Sequence, residues 1–271
     1  MAEHPKKSRT LTRIGQAVLS ALPATLFYVG LLVVWDIASR AGKVERYILP
    51  GPSMIGRSIK KNWDLLLHNS WVTGRALVLG FLLGSLIGFV CALGIYYSKI
   101  LRKILYPAAV FLQTVPKVAL APVFIIWFGT GQKSIIAITA LICLFPVLVN
   151  TLVGFEGVDQ NLLEMMHSVS ASSPQRFYYI LVPYALPSIV AGLEVGSSLA
   201  AVGAIVGEFI AAREGLGFEI QMASSRIATE EVFAVLLAVS ILGMAFYYFV
   251  RLIGRLLLGN RQTAEGAQAS A

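Results

Sequence analysis

The sequence predicts an all-α integral membrane protein with six transmembrane helices, and three observations point to this fold class. Of the 271 residues, 57% are hydrophobic, and the mean hydropathy is +0.75. Only 13% are charged, whereas soluble domains carry about 25%, so a water-soluble chain of this length would lack the charge to cover its surface. The apolar residues also gather in runs of about 20, the length that crosses a bilayer core.

Six of these runs are candidate spans: residues 17–38, 72–96, 104–128, 134–153, 188–211 and 232–253. The first follows several basic residues, as a signal peptide would, but its apolar run is too long and no convincing cleavage site follows. We therefore expect a retained span. The third is the weakest because it contains polar residues and two prolines. The runs divide the chain into an N-terminal tail (1–16), a six-helix domain (17–258) and a flexible C-terminal tail (259–271).

The distribution of Lys and Arg favours a cytoplasmic location for both termini. In this orientation the inner segments carry 11 of these residues and the outer segments carry 9. All four Trp residues then fall at the outer interface, which agrees with the preference of aromatic residues for interfaces. The net charge of +8 thus resides in loops and tails beside a lipid bilayer, and we expect no nucleic-acid partner.

Segment 53–68 is predicted to be an amphipathic helix lying on the outer membrane surface. Ser53 can cap its start, and its apolar residues, among them Ile55, Ile59 and Trp63, fall on one face. Its basic residues lie on the other face. This pattern is typical of a helix at the membrane interface.

Small residues recur at every fourth position in two spans. In the second span, Gly80, Gly84 and Gly88 predict close helix packing within the chain. In the fifth span, Gly196 and Gly203 belong to a narrow side that either packs in the same way or lines a pathway or subunit interface. Both readings remain open at the level of sequence.

Polar groups at membrane depth are candidates for function. Lys117 lies roughly 20 Å along its helix, beyond the midplane, where flanking prolines would loosen the helix. Its ammonium would suit an anion, or it could extend to the interface as a snorkelling lysine. Glu194 and Glu208 lie near the two ends of the fifth span and are expected to face water. The candidate pathway residues are Gln113, Pro116, Lys117, Gly196, Gly203 and Glu208.

The loop at 154–187 is the longest inner loop, and its pattern predicts two short helices. Asp159 is a plausible N-cap. Apolar residues then recur at helical spacing, at Leu162, Leu163, Met166 and Val169. Ser173-Pro174 restarts a helix that is expected to run to about Val182, before Pro183 and Pro187. The exposed apolar stripe either binds a partner or lies back on the bundle or membrane.

The stretch from Leu163 to Pro187 contains Glu164, Ser170-Ala171, Phe177 and a final Leu-Pro-rich segment. It resembles the EAA loop of binding-protein-dependent ABC importer permeases. Further stretches resemble the branch of that family that handles nitrate, sulfonates, taurine and related solutes; they are 49–53, 115–122, 127–131, 206–209 and 215–217. The resemblance covers about residues 45–258. It departs from the family pattern where Met165 and Met166 replace two alanines, Ser170 replaces a glycine, and Glu194 stands where a basic residue is frequent.

The resemblance implies a type I ABC importer permease in a bacterial inner membrane. In this family the first loop helix is a coupling helix that docks on a separate cytoplasmic ATPase dimer, which binds ATP and magnesium. The matching residues here are Leu162, Leu163, Glu164, Met166, His167, Ser170, Ala171, Ser172 and Ser173. An extracytoplasmic binding protein would deliver a small, possibly anionic solute to a permease homodimer. The chain itself would need no cofactor, metal or catalytic residue.

Two other functions are an enzyme and a stand-alone secondary transporter or channel. Residues 129–134 look faintly like a phosphate-binding loop, but Gln132 separates Gly131 from Lys133, so the segment is not a Walker A motif. The chain contains no GxSxG or HExxH motif, so the sequence argues against an enzyme. A stand-alone secondary transporter or channel is the better rival. It predicts ionisable residues at the midplane and inverted repeats, and neither is evident.

Overall fold

The structure is a computed structural model that describes residues 27, 30–31, 33–39 and 48–259, and within these residues it is helical with short connections. The helices are α1 (Pro52–Lys61), α2 (Trp63–Tyr97), α3 (Lys99–Thr114), α4 (Ala121–Phe128), α5 (Gln132–Glu156), α6 (Gln160–Ser168), α7 (Ser173–Arg176), α8 (Val182–Ala211), α9 (Leu216–Ser225) and α10 (Thr229–Leu258). A 3₁₀ turn (Lys117–Leu120) precedes α4, and a π-helical turn (Phe177–Leu181) joins α7 to α8.

Four helical segments in the described chain are long and apolar enough to cross a membrane: α2, α5, the continuous segment Ser173–Ala211, and α10. Each contains one of the predicted spans and extends beyond it. A fifth crossing is possible if the bent pair of α3 and α4 counts as one span. The predicted first span, 17–38, lies mostly outside the described residues. The part of it that is described, 27, 30–31 and 33–38, is helical. The prediction of a helical membrane protein is confirmed.

The predicted interfacial helix at 53–68 divides into two elements. α1 ends at Lys61, and Asn62 separates it from α2, which already begins at Trp63. Ser53 does not cap α1, because the N-cap is Gly51 and Pro52 occupies the first turn. The Ser53 hydroxyl instead donates to Asp36 Oδ1 at 3.1 Å. The helix that contains the second span therefore starts about nine residues before the predicted span.

The predicted span over 104–128 is not one continuous helix. α3 ends at Thr114, Val115 and Pro116 are extended, and the two helical parts are bent by 100°. The cause is local: Pro116 has no N–H to donate, and a residue before proline avoids the helical region. Pro122 then stands in the first turn of α4, where a missing N–H has no cost. We name residues 113–117 the helix break.

The second loop helix continues into the fifth span, contrary to the expected interruption at Pro183 and Pro187. The segment Ser173–Ala211 is helical throughout. Its backbone hydrogen-bond register widens in the π-helical turn, and Pro183 follows immediately in the first turn of α8. Both prolines therefore lie inside a continuous helix, and membrane helices tolerate proline where local π adjustments and neighbouring helices satisfy the freed backbone groups.

The core of the larger compact unit, which includes Trp63–Met222, is built around α5. α5 packs against α2 on one side and α8 on the other, and both contacts use small residues. A Cβ on Gly84 would lie 2.9 Å from the Ala140 Cα, and one on Gly203 would lie 2.9 Å from the Thr139 Cα. Both glycines therefore permit backbones to approach as closely as association in lipid requires. α10 is the least buried of the four long segments.

Candidate functional site

The loop between α5 and α8 carries the nine candidate coupling residues, and its first helix forms as the sequence predicts. The Asp159 carboxylate accepts a hydrogen bond from the Asn161 backbone N–H at 2.9 Å, which caps the start of α6. The Ser168 hydroxyl donates to the Glu164 carbonyl oxygen at 3.0 Å near its end. A nine-residue helix is too short to be stable alone, so these contacts and its packing determine its position.

α6 ends in a Schellman motif that has serine where glycine is usual. The Ser170 N–H bonds the His167 carbonyl at 2.9 Å, and the Ala171 N–H bonds the Met166 carbonyl at 3.0 Å. This pair of bonds defines the motif, and it requires a left-handed residue: Ser170 has φ 57°. Ser170 thus occupies a conformation that favours glycine, at a cost of about 1 kcal/mol for a residue with a Cβ.

The second loop helix is capped one residue earlier than predicted. Ser172, not Ser173, is the N-cap of α7. Its backbone N–H donates to Gln175 Oε1 at 2.7 Å, which is one half of a capping box. The Ser173 hydroxyl instead accepts from Arg176 Nη2 at 3.1 Å. The loop is therefore fixed at both ends by bonds between residues close in sequence.

The apolar stripe of α6 divides between the two environments that the sequence left open. Leu163 is half-buried and packs with Phe177 against the core cluster around Phe155. Met165 and Val169 are 56% and 69% exposed. Among the nine candidates, Leu163, Met166 and Ala171 are half-buried, and Leu162, Glu164, His167, Ser170, Ser172 and Ser173 are exposed. We name the surface of Leu162, Met165 and Val169 the exposed face of α6, and Glu164 is exposed on another side of the same helix. Met165 was not among the candidates, although its position three residues after Leu162 places it on that face.

The helix break brings together three of the candidate pathway residues. Gln113 and Pro116 are exposed, and Lys117 is half-buried. The Lys117 Nζ lies 5.3 Å from the centroid of the Phe145 ring, a distance typical of a cation–π contact. The described residues of α3 include none that is buried. A lysine thus lies at the point where the helix is interrupted.

The other three candidate pathway residues lie elsewhere. Gly196 packs against Val147, and Gly203 packs against Thr139, so both belong to the contact of α8 with α5. Glu208 is fully buried, contrary to the expected water-facing position. Glu194 is half-buried and accepts a hydrogen bond from the Tyr247 hydroxyl at 3.4 Å. The contacts of Gly196 and Gly203 favour a role in helix packing over a place in the pathway.

Glu208 belongs to a buried group at the end of α8 that lies farthest from the loop. Three successive backbone N–H groups are each bound by a side chain: Gly215 by Asn69 Oδ1 at 2.8 Å, Leu216 by Thr73 Oγ1 at 2.8 Å, and Gly217 by Glu208 Oε2 at 2.6 Å. Glu208 Oε1 has no partner among the described residues. We name this group the amide clamp.

Sequence reasoning missed two members of the amide clamp. Asn69 and Thr73 lie one helical turn apart on α2 and are 2% and 1% exposed. Two polar residues at this spacing in an apolar helix indicate a shared buried partner. The partner, the turn at Gly215 with φ 115°, is more than 140 residues away along the chain. Among the described residues, no three His, Cys, Asp or Glu side chains are placed to hold a metal ion.

Comparisons with known proteins identify the family. Residues 84–259 match the family described as the binding-protein-dependent transport system inner membrane component. The formylaminopyrimidine transport permease protein ThiX of Halalkalibacterium halodurans is 33% identical over 88% of this chain and 95% of its own length. The putative aliphatic sulfonates transport permease protein SsuC of Bacillus subtilis is 32% identical over 98% of this chain and 95% of its own.

The fold agrees with a solved transporter. The MetNI methionine ABC transporter, in an inward-facing conformation, superposes with a TM-score of 0.59 at 18% identity, over 72% of this chain and 95% of the matched chain. The architecture is thus that of a type I importer permease. The chain belongs to the family of inner-membrane components of binding-protein-dependent transport systems.

Proposed function

We propose that this chain is the permease subunit of an ATP-driven importer, with ATP and magnesium bound by a separate cytoplasmic ATPase dimer. A binding protein delivers the solute to the opposite face, and two copies of the chain form the pathway. Both termini and the loop at 154–187 face the cytoplasm. Family membership supports this assignment, and the small excess of Lys and Arg in the inner segments, 11 against 9, agrees with it.

The proposal rests on the structure of the loop at 154–187. The exposed face of α6 presents apolar side chains, and the Glu164 carboxylate is exposed on the same helix, so α6 offers both apolar and charged contacts to a protein groove. The helical path from Ser173 to Ala211 is continuous. A displacement of α6 and α7 by the ATPase therefore reaches the far end of α8 through a rigid element, roughly 45 Å away for a 30-residue helix.

The pathway assignment rests on the helix break. Lys117 is the pathway cation, and Gln113 and Pro116 lie beside it. The Lys117 ammonium, held near an aromatic ring, would favour a small anion, such as a sulfonate-, taurine- or nitrate-like solute. SsuC is named for aliphatic sulfonates and ThiX for a formylaminopyrimidine, so the ligand of the cognate binding protein is the direct test of solute class.

The coupling role is tested by reversing the charge of Glu164. A tagged permease captures the ATPase from native membranes, and Glu164→Lys is expected to abolish both capture and solute uptake while membrane insertion is unchanged. Glu214→Lys is the matched control, since Glu214 is equally a surface carboxylate but follows the other end of α8. Capture at the wild-type level by Glu164→Lys would overturn the docking assignment. Solute movement by ATPase-free permease, driven by an ion gradient, would favour the secondary transporter instead.

A further inference from the structure

A cavity of about 440 Å³ lies between α6, α7 and the end of α2. Polar side chains converge on it from all three helices: Tyr96 and Tyr97 from α2, Gln160 from α6, and Ser173 and Arg176 from α7. Two leucines complete its lining. The cavity lies behind α6, on the side of Leu163, and is separate from the exposed face of α6.

The cavity is electropositive. Among the described residues that line it, Arg176 is charged and none is acidic. Its bond to Ser173 occupies one of five guanidinium N–H groups. The nearby carboxylates are engaged elsewhere, because Glu156 pairs with Arg102 at 2.8 Å and Asp159 caps α6.

The position of the cavity relative to the membrane identifies a source of anions. α2 ends at Tyr97, directly after the predicted span 72–96, so its last residues are expected in the headgroup layer. Tyr97, Tyr178 and Tyr179 are 55%, 70% and 74% exposed, as expected for residues of an interfacial aromatic belt. Phospholipid phosphates lie at this depth.

We propose that this cavity binds a phosphate group, with an anionic phospholipid headgroup as the favoured source. Arg176 supplies the planar, doubly donating contact that phosphate oxygens accept well. Tyr97, Gln160 and Ser173 add neutral donors. The bound phosphate joins α2, α6 and α7, and so holds the loop against the end of the bundle. That last consequence rests on the proposed function, whereas the binding itself does not.

The test uses the full-length chain purified in detergent with an equimolar mixture of phosphatidylglycerol and phosphatidylcholine. Native mass spectrometry then counts the lipids that remain bound. Arg176→Gln is expected to lower phosphatidylglycerol retention roughly tenfold, because it removes a charge-assisted contact. Tyr97→Phe, which removes one hydroxyl and keeps the ring, is expected to lower it about threefold.

Arg255→Gln is the matched control, because Arg255 is exposed near the same end of the bundle, where its neighbour Gly254 packs against Val190. It should leave retention unchanged. A second arm titrates inorganic phosphate by phosphorus NMR. Binding of phosphate that depends on Arg176, without retention of phosphatidylglycerol, would support the site and assign a soluble source. Equal binding of both probes by wild type and Arg176→Gln would overturn the proposal, even if ATPase capture behaves as predicted above.

Discussion

The two ends of α8 satisfy their backbone groups in opposite ways. At the loop end, the hydrogen bonds that shape the turn join residues at most five positions apart, such as the Ala171 N–H to the Met166 carbonyl. At the other end, the amide clamp joins Gly215 to Asn69 across 146 residues. The loop end is exposed, while Glu208, Asn69 and Thr73 are buried.

The loop end is built to keep its shape while it moves. The amide clamp, in contrast, fixes neighbouring helices to one another. A loop closed by local bonds retains its geometry when its surroundings shift, which suits a docking element. Bonds between α2, α8 and the turn at 215–217 break only if those elements separate. The clamp therefore fixes the position of α2 against the end of α8, and the loop end is where displacement enters under the proposed function.

The largest effect is expected from Glu208→Ala. The change leaves the buried Gly217 N–H without its acceptor and opens a cavity beside Gly215, which together should lower the free energy of unfolding by about 2–3 kcal/mol. For a chain of this size, that corresponds to a fall of roughly 5–10 °C in the melting temperature. Thermal unfolding followed by tryptophan fluorescence in detergent measures it.

Glu194→Ala is the control for this comparison. Glu194 lies on the same helix and is half-buried, with a weak bond to Tyr247 at 3.4 Å. Its removal should change the melting temperature by about 2 °C or less. Equal shifts for the two variants would contradict the distinction between a clamp and an ordinary polar contact.

The same distinction explains which parts of the structure could be predicted from sequence. The Asp159 cap, α6 and the return to helix at Ser173 follow from residues within one or two turns, so the pattern predicted them to within one residue. The amide clamp depends on the meeting of distant segments, which no local pattern encodes, and Glu208 was expected to face water. The helix break is predicted only in part. The two prolines indicate a loosened helix, but the bend of 100° depends on how α3 and α4 pack against the rest of the chain.

A second effect is expected on the exposed face of α6, without a loss of stability. Met165→Asp places a charge where an apolar side chain is 56% exposed, so the folded chain tolerates it. Association with the ATPase should weaken at least about tenfold, because a desolvated charge would face an apolar groove. The ATPase captured by a tagged permease at graded ATPase concentrations measures this change.

Met165→Leu keeps the volume and apolar character of the side chain, and it should preserve capture. The melting temperature of Met165→Asp should stay within about 2 °C of the wild type, because surface substitutions usually have small effects. A large loss of stability would show that the face is part of the fold, and normal capture by Met165→Asp would remove this face from the docking surface.

The smallest effect is expected from Ser170→Gly, which should stabilise the loop. Ser170 already holds φ 57° within the Schellman motif, and glycine adopts this conformation without the clash of a Cβ. Protection of the Ala171 N–H from hydrogen exchange should therefore rise by roughly threefold to fivefold, which corresponds to about 0.7–1 kcal/mol.

Ser172→Gly is the contrasting variant, because it removes the N-cap hydroxyl of α7 at an extended residue and should lower protection of the same turn. If both glycines changed protection in the same direction, loop flexibility in general, and not the left-handed backbone at position 170, would account for the result.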